Sequence, residues 1–414
     1  MSSDDPRVSR RRFLECSSAM AVATGLSAAA PSAAGQEAKL EMKYRRFGRT
    51  NLMVSEIGLG CASGLRSETL GPFLFNYYRE RLPQTVDRLL SLGGNFVATS
   101  QSYHDTEEIL GRALKGRRQQ VIIFTATSPG KKDVNAVIAS CEKSLKNFQT
   151  DYLDCYFGHG GWSEAFGEAA RKLKEQGKIR FIGMSNHVPA NHLERLKADD
   201  VDFIFQPYNY MNLAKWTEKT DRAGTEELFA LCKQKDVGVL AIKPMTGHFI
   251  PNWAKENTDP LVARLLAELK EFGTENLYQA FLMWVLKNPN VCCTAVGMSS
   301  PQEVVEDCAA VGKKFTARHQ HLLDLYAAAC SGDYCRLCET CMPSCPMGVA
   351  IPDILRFRMY YKNYGHREDA RELYAGLPAG KRFDACTACG LCEQTCPNRL
   401  KIVDKLREAH ALLA

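Results

Sequence analysis

The sequence has no stretch in which basic residues alternate with aromatic ones, and its formal charge of +6 over 414 residues is small. Several of its arginines crowd into the first dozen positions, so no extended basic face remains to track a phosphate backbone, and no nucleic acid partner is expected. No apolar run reaches the roughly 20 residues that a permanent membrane span requires. The Gly-rich loop that opens a doubly wound dinucleotide fold is also missing: Leu59-Gly60-Cys61-Ala62-Ser63-Gly64 fits that fingerprint poorly. No flavin motif is visible. What remains is an ordinary globular composition, 45% hydrophobic and 24% charged, long enough for a barrel-sized domain and a small one. Cysteine is the exception, with 17 copies.

Eight of those cysteines form two copies of one pattern. Cys335, Cys338, Cys341 and Cys345 stand as C-x2-C-x2-C-x3-C before Pro346, and Cys386, Cys389, Cys392 and Cys396 repeat the spacing before Pro397. Zinc favours two C-x2-C pairs, and a disulfide framework has no use for the third cysteine or the proline. Three thiolates on one tight loop suit three irons of a cubane, with the fourth thiolate reaching a neighbouring cluster. The pattern resembles bacterial-type ferredoxins, which implies two [4Fe–4S] clusters. By that resemblance Cys335, Cys338, Cys341 and Cys396 hold one, and Cys386, Cys389, Cys392 and Cys345 the other. Of the remaining cysteines, Cys16 lies near the N-terminus and the rest sit mostly in apolar segments, where a thiol reads as a small buried hydrophobe.

Ser9-Arg10-Arg11-Arg12-Phe13-Leu14 resembles the twin-arginine export motif. An Ala-rich run over 19–30 follows, and Ser32-Ala33-Ala34 supplies small residues for cleavage. This export route moves folded proteins, which suits clusters that must be inserted before crossing. The expected location is periplasmic or otherwise extracytoplasmic, with no permanent span after cleavage. The expected organisation is a leader at 1–34, a linker at 35–41, a barrel at 42–315, a connecting helix at 316–330 and a cluster domain at 331–414.

Beyond the linker, short apolar strands alternate with helix-period stretches. Strands are expected at 56–60, 95–99, 121–125, 152–157, 179–185, 203–207, 237–243 and 291–296, with helices between them at 106–115, 134–148, 163–176 and 225–234. Eight such units predict an α/β fold, a (β/α)8 barrel. The segments resemble the aldo/keto reductases over 42–312. Tyr44-Arg45-Arg46-Phe47-Gly48 looks like that family's opening hairpin, Glu107-Glu108-Ile109-Leu110-Gly111 like its next helix, and Gly177-Lys178-Ile179-Arg180-Phe181-Ile182-Gly183-Met184-Ser185-Asn186 is the most distinctive match.

That resemblance implies carbonyl reduction by an Asp–Tyr–Lys–His tetrad at the C-terminal mouth. Tyr103 and His159 occupy the tyrosine and histidine positions, but Ala98 stands at the aspartate position and Ala126 at the lysine position. Losing both together is physically coherent, since a buried lysine without its aspartate costs about 3–5 kcal/mol. The loss leaves Tyr103 without its cation, and an unassisted phenol titrates near about 10, which makes it a weak acid at neutral pH. Lys243, His104 and His187 are candidate replacements. Ser185, Asn186 and Gln206 match the family's carboxamide contacts, and Gly297-Met298-Ser299-Ser300 would present N–H groups to a phosphate at the following helix. The ring-stacking position falls on Ile242, and the basic residue that some members use for a 2′-phosphate falls on Glu303. NAD(P) is therefore a weakened expectation, with NADP disfavoured against NAD.

Within the cluster region, helices are expected at 351–364 and 368–374, with a capping helix at 401–414. This resembles the helical di-cluster modules of multi-subunit oxidoreductases. Arg356, Arg358, Tyr360, Tyr361, Lys362 and Tyr364 read as a helix with one buried side. A hydride carries two electrons, whereas each cluster takes one at a time. The expected function is an exported iron–sulfur oxidoreductase acting on a small carbonyl or alcohol, its clusters relaying electrons to a redox partner protein. The alternative is a catalytically degenerate barrel that scaffolds an electron-transfer subunit.

Overall fold

The computed structural model describes residues 41–61, 67–127, 133–215, 218–219, 221–245, 260–330, 335, 339–363, 367–397 and 399–414. The twin-arginine motif, the Ala-rich run, Cys338 and Tyr364 lie outside them. The described chain forms two compact units: Glu41–Thr246 with Gln279–Phe315, and a second drawn from Gly247–Tyr278 and Thr316–Ala414. Among the described residues no helix is long and apolar enough to cross a membrane.

The first unit opens with an antiparallel hairpin, β1 (Tyr44–Arg46) and β2 (Met53–Ser55). Its turn carries Phe47 into the floor of a barrel, where Phe47 is fully buried 5.4 Å from the ring of Phe124. Gly48 makes this approach feasible. Its φ is +52°, and a Cβ there would lie 2.4 Å from the backbone nitrogen of Gly238.

The barrel strands are β3 (Ile57–Gly60), β4 (Phe96–Ala98), β5 (Ile122–Ala126), β6 (Leu153–His159), β7 (Ile179–Ser185) and β8 (Phe203–Pro207). A small hairpin, β9 (Leu213–Lys215) with β10 (Glu218–Lys219), precedes the last two, β11 (Gly238–Ile242) and β12 (Cys293–Val296). Eight parallel strands close in the order β11-β12-β3-β4-β5-β6-β7-β8. The eight apolar runs of the sequence are these strands. The one at 152–157 continues to His159, because the ladder with β7 runs on until His159 pairs with Ser185.

The helices of this unit are α1 (Ser67–Ser91), α2 (Thr106–Ala113), α3 (Val134–Phe148), α4 (Glu164–Glu175), α5 (Ala190–Lys197) and α6 (Arg222–Gln234). α4 shows why they form where they do. Ser163 caps it by accepting from the Phe166 N–H, and Phe166, Ala169, Ala170 and Leu173 are buried at helical spacing. Inside the barrel the core is largely aromatic: Phe47, Phe96, Phe124, Phe157, Phe203 and Phe205 interlock, with Phe157 and Phe205 only 4.4 Å apart. Each such ring contributes about 1.5–3 kcal/mol on burial.

In chain order there follow α7 (Pro260–Phe272) in the second unit, α8 (Thr274–Leu286), α9 (Pro301–Cys308) in the first, and α10 (Ala317–Cys330), which packs on α7. The second unit ends with α11 (Ile351–Asn363), α12 (Arg367–Ala375), α13 (Leu391–Gln394) and α14 (Ile402–Leu413). α11 packs against α12 and α14. Arg358 and Tyr360 of α11 are buried along with Ile354, Leu355 and Phe357. Arg358 pairs with Glu408 at 2.7 Å, and Lys362 reaches the same carboxylate. Burial pushes the Glu408 carboxyl up, but the two cations outweigh it and hold it below the usual carboxylate range.

Candidate functional site

Strand register delivers the mouth residues. Ala98 ends β4, Ala126 pairs with Phe157 at the end of β5, His159 pairs with Ser185, and Pro207 pairs with Ile242. Ala98 and Ala126 are both buried in the apolar core with Phe157 and Phe205, and Ile242 packs against the same cluster. The ends of β4 and β5 thus form an apolar floor of methyl groups and rings.

Above that floor, the loop after β4 folds back on itself, with the Tyr103 N–H donating to Ser100 O at 2.9 Å. This brings the Tyr103 hydroxyl 3.5 Å from His159 Nε2, with the rings edge to face at 5.6 Å. The other imidazole nitrogen, Nδ1, lies 3.0 Å from Ser100 Oγ and 3.3 Å from Ser102 Oγ. The hydroxyls of Ser100 and Ser102 are themselves 3.0 Å apart. A line therefore runs from phenol to imidazole to two serine hydroxyls, and each link can pass or hold a proton. Spacing singled out neither serine. His104 and Lys243 have left-handed backbones, φ 51° and 56°, which non-glycine residues adopt at a cost of about 1–2 kcal/mol. The carbonyl of His187 accepts from Gln206 Nε2 at 3.3 Å.

The positions assigned by resemblance to a nicotinamide carboxamide are engaged from within. Asn186 Nδ2 donates to Gly160 O at 3.0 Å, while its Oδ1 accepts from the Val188 N–H and from Asn191. Ser185 and Gln206 are buried. His192, also overlooked in the sequence, is fully buried with Nε2 3.4 Å from Asn186 O, and burial pushes its pKa down to about 4. At the opposite side of the mouth, Gly297 and Met298 lead into Ser299, whose N–H and Oγ both donate to one oxygen of Glu303, at 2.7 and 2.8 Å. Ser300 caps α9 by accepting from the Glu303 N–H. A carboxylate on the Ser299 donors, an aliphatic Ile242 and a self-satisfied Asn186 do not fit a phosphorylated dinucleotide.

In the second unit, Cys345, Cys386, Cys389 and Cys392 line one cavity with Pro346, Met347, Val349 and Gly390. Among the described residues no three Cys, His, Asp or Glu side chains converge as ligands of a single ion would. A cubane spreads its thiolates over four irons around a volume, and four cysteines around one cavity fit that requirement. Burial, aided by Glu393 and the thiols of Cys386 and Cys345, pushes Cys392 up to about 11. The Ala388 N–H points at Cys386 Sγ, 3.4 Å away.

The two motifs also meet. Ser344 precedes Cys345 and Thr395 precedes Cys396, and their hydroxyls are 3.0 Å apart. Glu339 and Gly390 each follow the second cysteine of their motif, and both are left-handed, φ 58° and 73°. Cys341 is buried, Cys335 and Cys396 are half-buried, and Cys389 is exposed.

Comparison with known proteins matches residues 67–324 to the aldo/keto reductase family and residues 334–400 to the 4Fe-4S dicluster domain. The chain is 30% identical over 297 residues to L-galactose dehydrogenase of Arabidopsis thaliana, covering 66% of this chain and 88% of that protein. It is 28% identical over 210 residues to the methylglyoxal reductase YeaE of Escherichia coli (strain K12), covering 49% of this chain and 69% of that one. Among solved structures, the holo form of aldo-keto reductase AKR11C1 from Bacillus halodurans aligns with a TM-score of 0.52 and 27% identity, over 69% of this chain and 96% of that one.

Proposed function

The chain belongs to the aldo/keto reductase family and fuses that barrel to a 4Fe-4S ferredoxin-type domain, and from this premise we propose an exported iron–sulfur oxidoreductase acting on a small carbonyl or alcohol. Cys335, Cys338, Cys341 and Cys396 would hold one cluster and Cys386, Cys389, Cys392 and Cys345 the other. Oxidising an alcohol to a carbonyl releases two electrons and two protons; two clusters, when bound, would take one electron each, while the O–H hydrogen and, once its electrons have gone, the C–H hydrogen leave as protons. The leader carries the assembled protein across the membrane, where a redox partner protein exchanges electrons with the second unit.

The observation that carries this reading is the Tyr103–His159–Ser100 line at the mouth. With His159 accepting from Ser100 at Nδ1, its Nε2–H faces the Tyr103 oxygen and steadies a developing phenolate. With the tautomer reversed, Nε2 accepts the phenol proton and Nδ1–H donates to serine. Either way the imidazole takes over the assistance that the family's lysine gives, and the hydroxyl proton of the substrate has a route between phenol and loop.

The test is substrate-dependent bleaching of cluster absorbance in anaerobically purified protein. Tyr103→Phe should slow that bleaching by roughly 10²–10⁴-fold, the worth of a positioned acid or base. The buried alanines favour a second reading, a scaffold without chemistry. It prevails if a broad panel of carbonyls and alcohols gives no bleaching and the clusters reduce only through a co-purifying partner.

A further inference from the structure

The start of α9 is a helix N-terminus facing the mouth loops, where N–H donors ordinarily gather an anion. In this protein the donors of Ser299 and Glu303 are already used. Ser299 is buried, and both its N–H and its hydroxyl converge on a single oxygen of Glu303, at 2.7 and 2.8 Å. Pro301 brings no N–H, and the N–H of Glu303 is taken by Ser300 Oγ. Glu303 itself is 8% exposed, so its carboxylate is part of the interior and not a solvated rim charge. A capping box of the usual kind turns the third-position glutamate back to the cap residue; here it reaches one residue further, to Ser299.

We infer that Glu303 is a built-in anion that occupies the barrel's phosphate seat from within, so that the mouth rejects ligands bearing a phosphate there, NADP among them. Two charge-assisted donors hold the carboxylate, and the positive end of the α9 dipole adds to them. An incoming phosphate would have to displace that carboxylate from its donors while meeting its like charge at close range. The inference leans on the family reading only for where a dinucleotide phosphate would arrive. It also accounts for why the proposed reaction would draw its electrons through the second unit.

The experiment is calorimetric titration of the holoprotein with NADP+, NAD+ and inorganic pyrophosphate, which needs no turnover and is therefore independent of the bleaching assay. Wild type should show no saturable NADP+ binding up to millimolar concentration. Glu303→Ala should bind NADP+ at least about tenfold more tightly than wild type, the worth of freed donors to a charged group, and the isosteric Glu303→Gln, which removes only the like charge, should gain in the same direction by less. NAD+ should change less. Micromolar NADP+ binding by wild type would overturn the inference. So would variants that bind NADP+ no better than wild type, or that bind either nucleotide more weakly, since the carboxylate would then be a ligand contact. Should the alanine variant fail to fold, the glutamine variant, which keeps the size and an acceptor oxygen, decides alone.

Discussion

The two units of this chain use the same residue in opposite ways. In the barrel, Cys61, Cys141, Cys155, Cys232, Cys293 and Cys308 are buried in apolar surroundings. Burial pushes Cys61, Cys141 and Cys308 up to about 12 and Cys155 and Cys293 well above the ordinary thiol range. Thiols so placed are inert packing. In the second unit the described motif cysteines stand on short loops, Cys392 on α13 excepted, are mostly half-buried or exposed, and four of them surround one cavity. The difference lies in what supports each segment. Interlocked rings hold the barrel from inside, whereas the cysteine loops bury little of their own.

The largest effect should come from iron and sulfide removal, which sets the two modes of support against each other. Chelation under reducing, anaerobic conditions should cost the cysteine loops and α13 their structure, by an amount that in small metal-bound domains reaches about 10 kcal/mol or more. The barrel strands should keep theirs. Hydrogen exchange resolves the two: amides at 339–350 and 386–397 should lose protection while β5 to β8 retain it. Loops that stay protected without iron would show that the second unit, too, is held by packing alone.

A smaller effect probes the barrel's side of the contrast. Ala126→Lys places a charge in the apolar floor without a partner and should destabilise the first unit by about 3–5 kcal/mol in urea unfolding. Adding Ala98→Asp on the neighbouring strand should recover much of that loss, because the two positions flank the same floor. A single-variant cost below about 1 kcal/mol would mean that water reaches the floor, for surface charges cost no more than that.

The barrel was legible because its strands are runs of apolar residues between turn signals, and parallel strands buried on both faces need such runs. The closeness of Tyr103 and His159 was legible from motif order, and the structure sets the phenol 3.5 Å from the imidazole. The serine partners of His159 were not legible. They join the loop after β4 to the end of β6, some 57 residues apart, and nothing local marks a contact between two mouth segments. Glu303 was half-legible: Ser300-Pro301-Gln302-Glu303 carries the capping signature, but only the folded turn aims the carboxylate at Ser299. The repeat of the cysteine motif showed two sites, yet the meeting of Ser344 with Thr395 depends on how the repeats fold against each other. Lys243 and His104 drew attention as charges, while what distinguishes them in the structure is their backbone, which no sequence pattern announced.

The smallest predicted effect concerns acid and separates the units once more. His192 is buried beneath Asn186 and Gln206, and burial lowers its pKa from an ordinary 6.5 to about 4. As pH falls below 6.5 the unfolded chain takes up a proton that the folded barrel refuses, so the contribution to stability is complete above that value and erodes below it. The first unit should lose about 2 kcal/mol by pH 5 and about 3 kcal/mol by pH 4 from this residue alone. His192→Gln, which cannot titrate, should flatten that part of the pH profile while lowering stability at pH 7 through lost packing. Thermal unfolding of both proteins at pH 7 and pH 5, followed through barrel tryptophan fluorescence, measures the difference. Equal acid sensitivity in the two would mean that carboxylates elsewhere govern the barrel's response and that His192 is protonated in place.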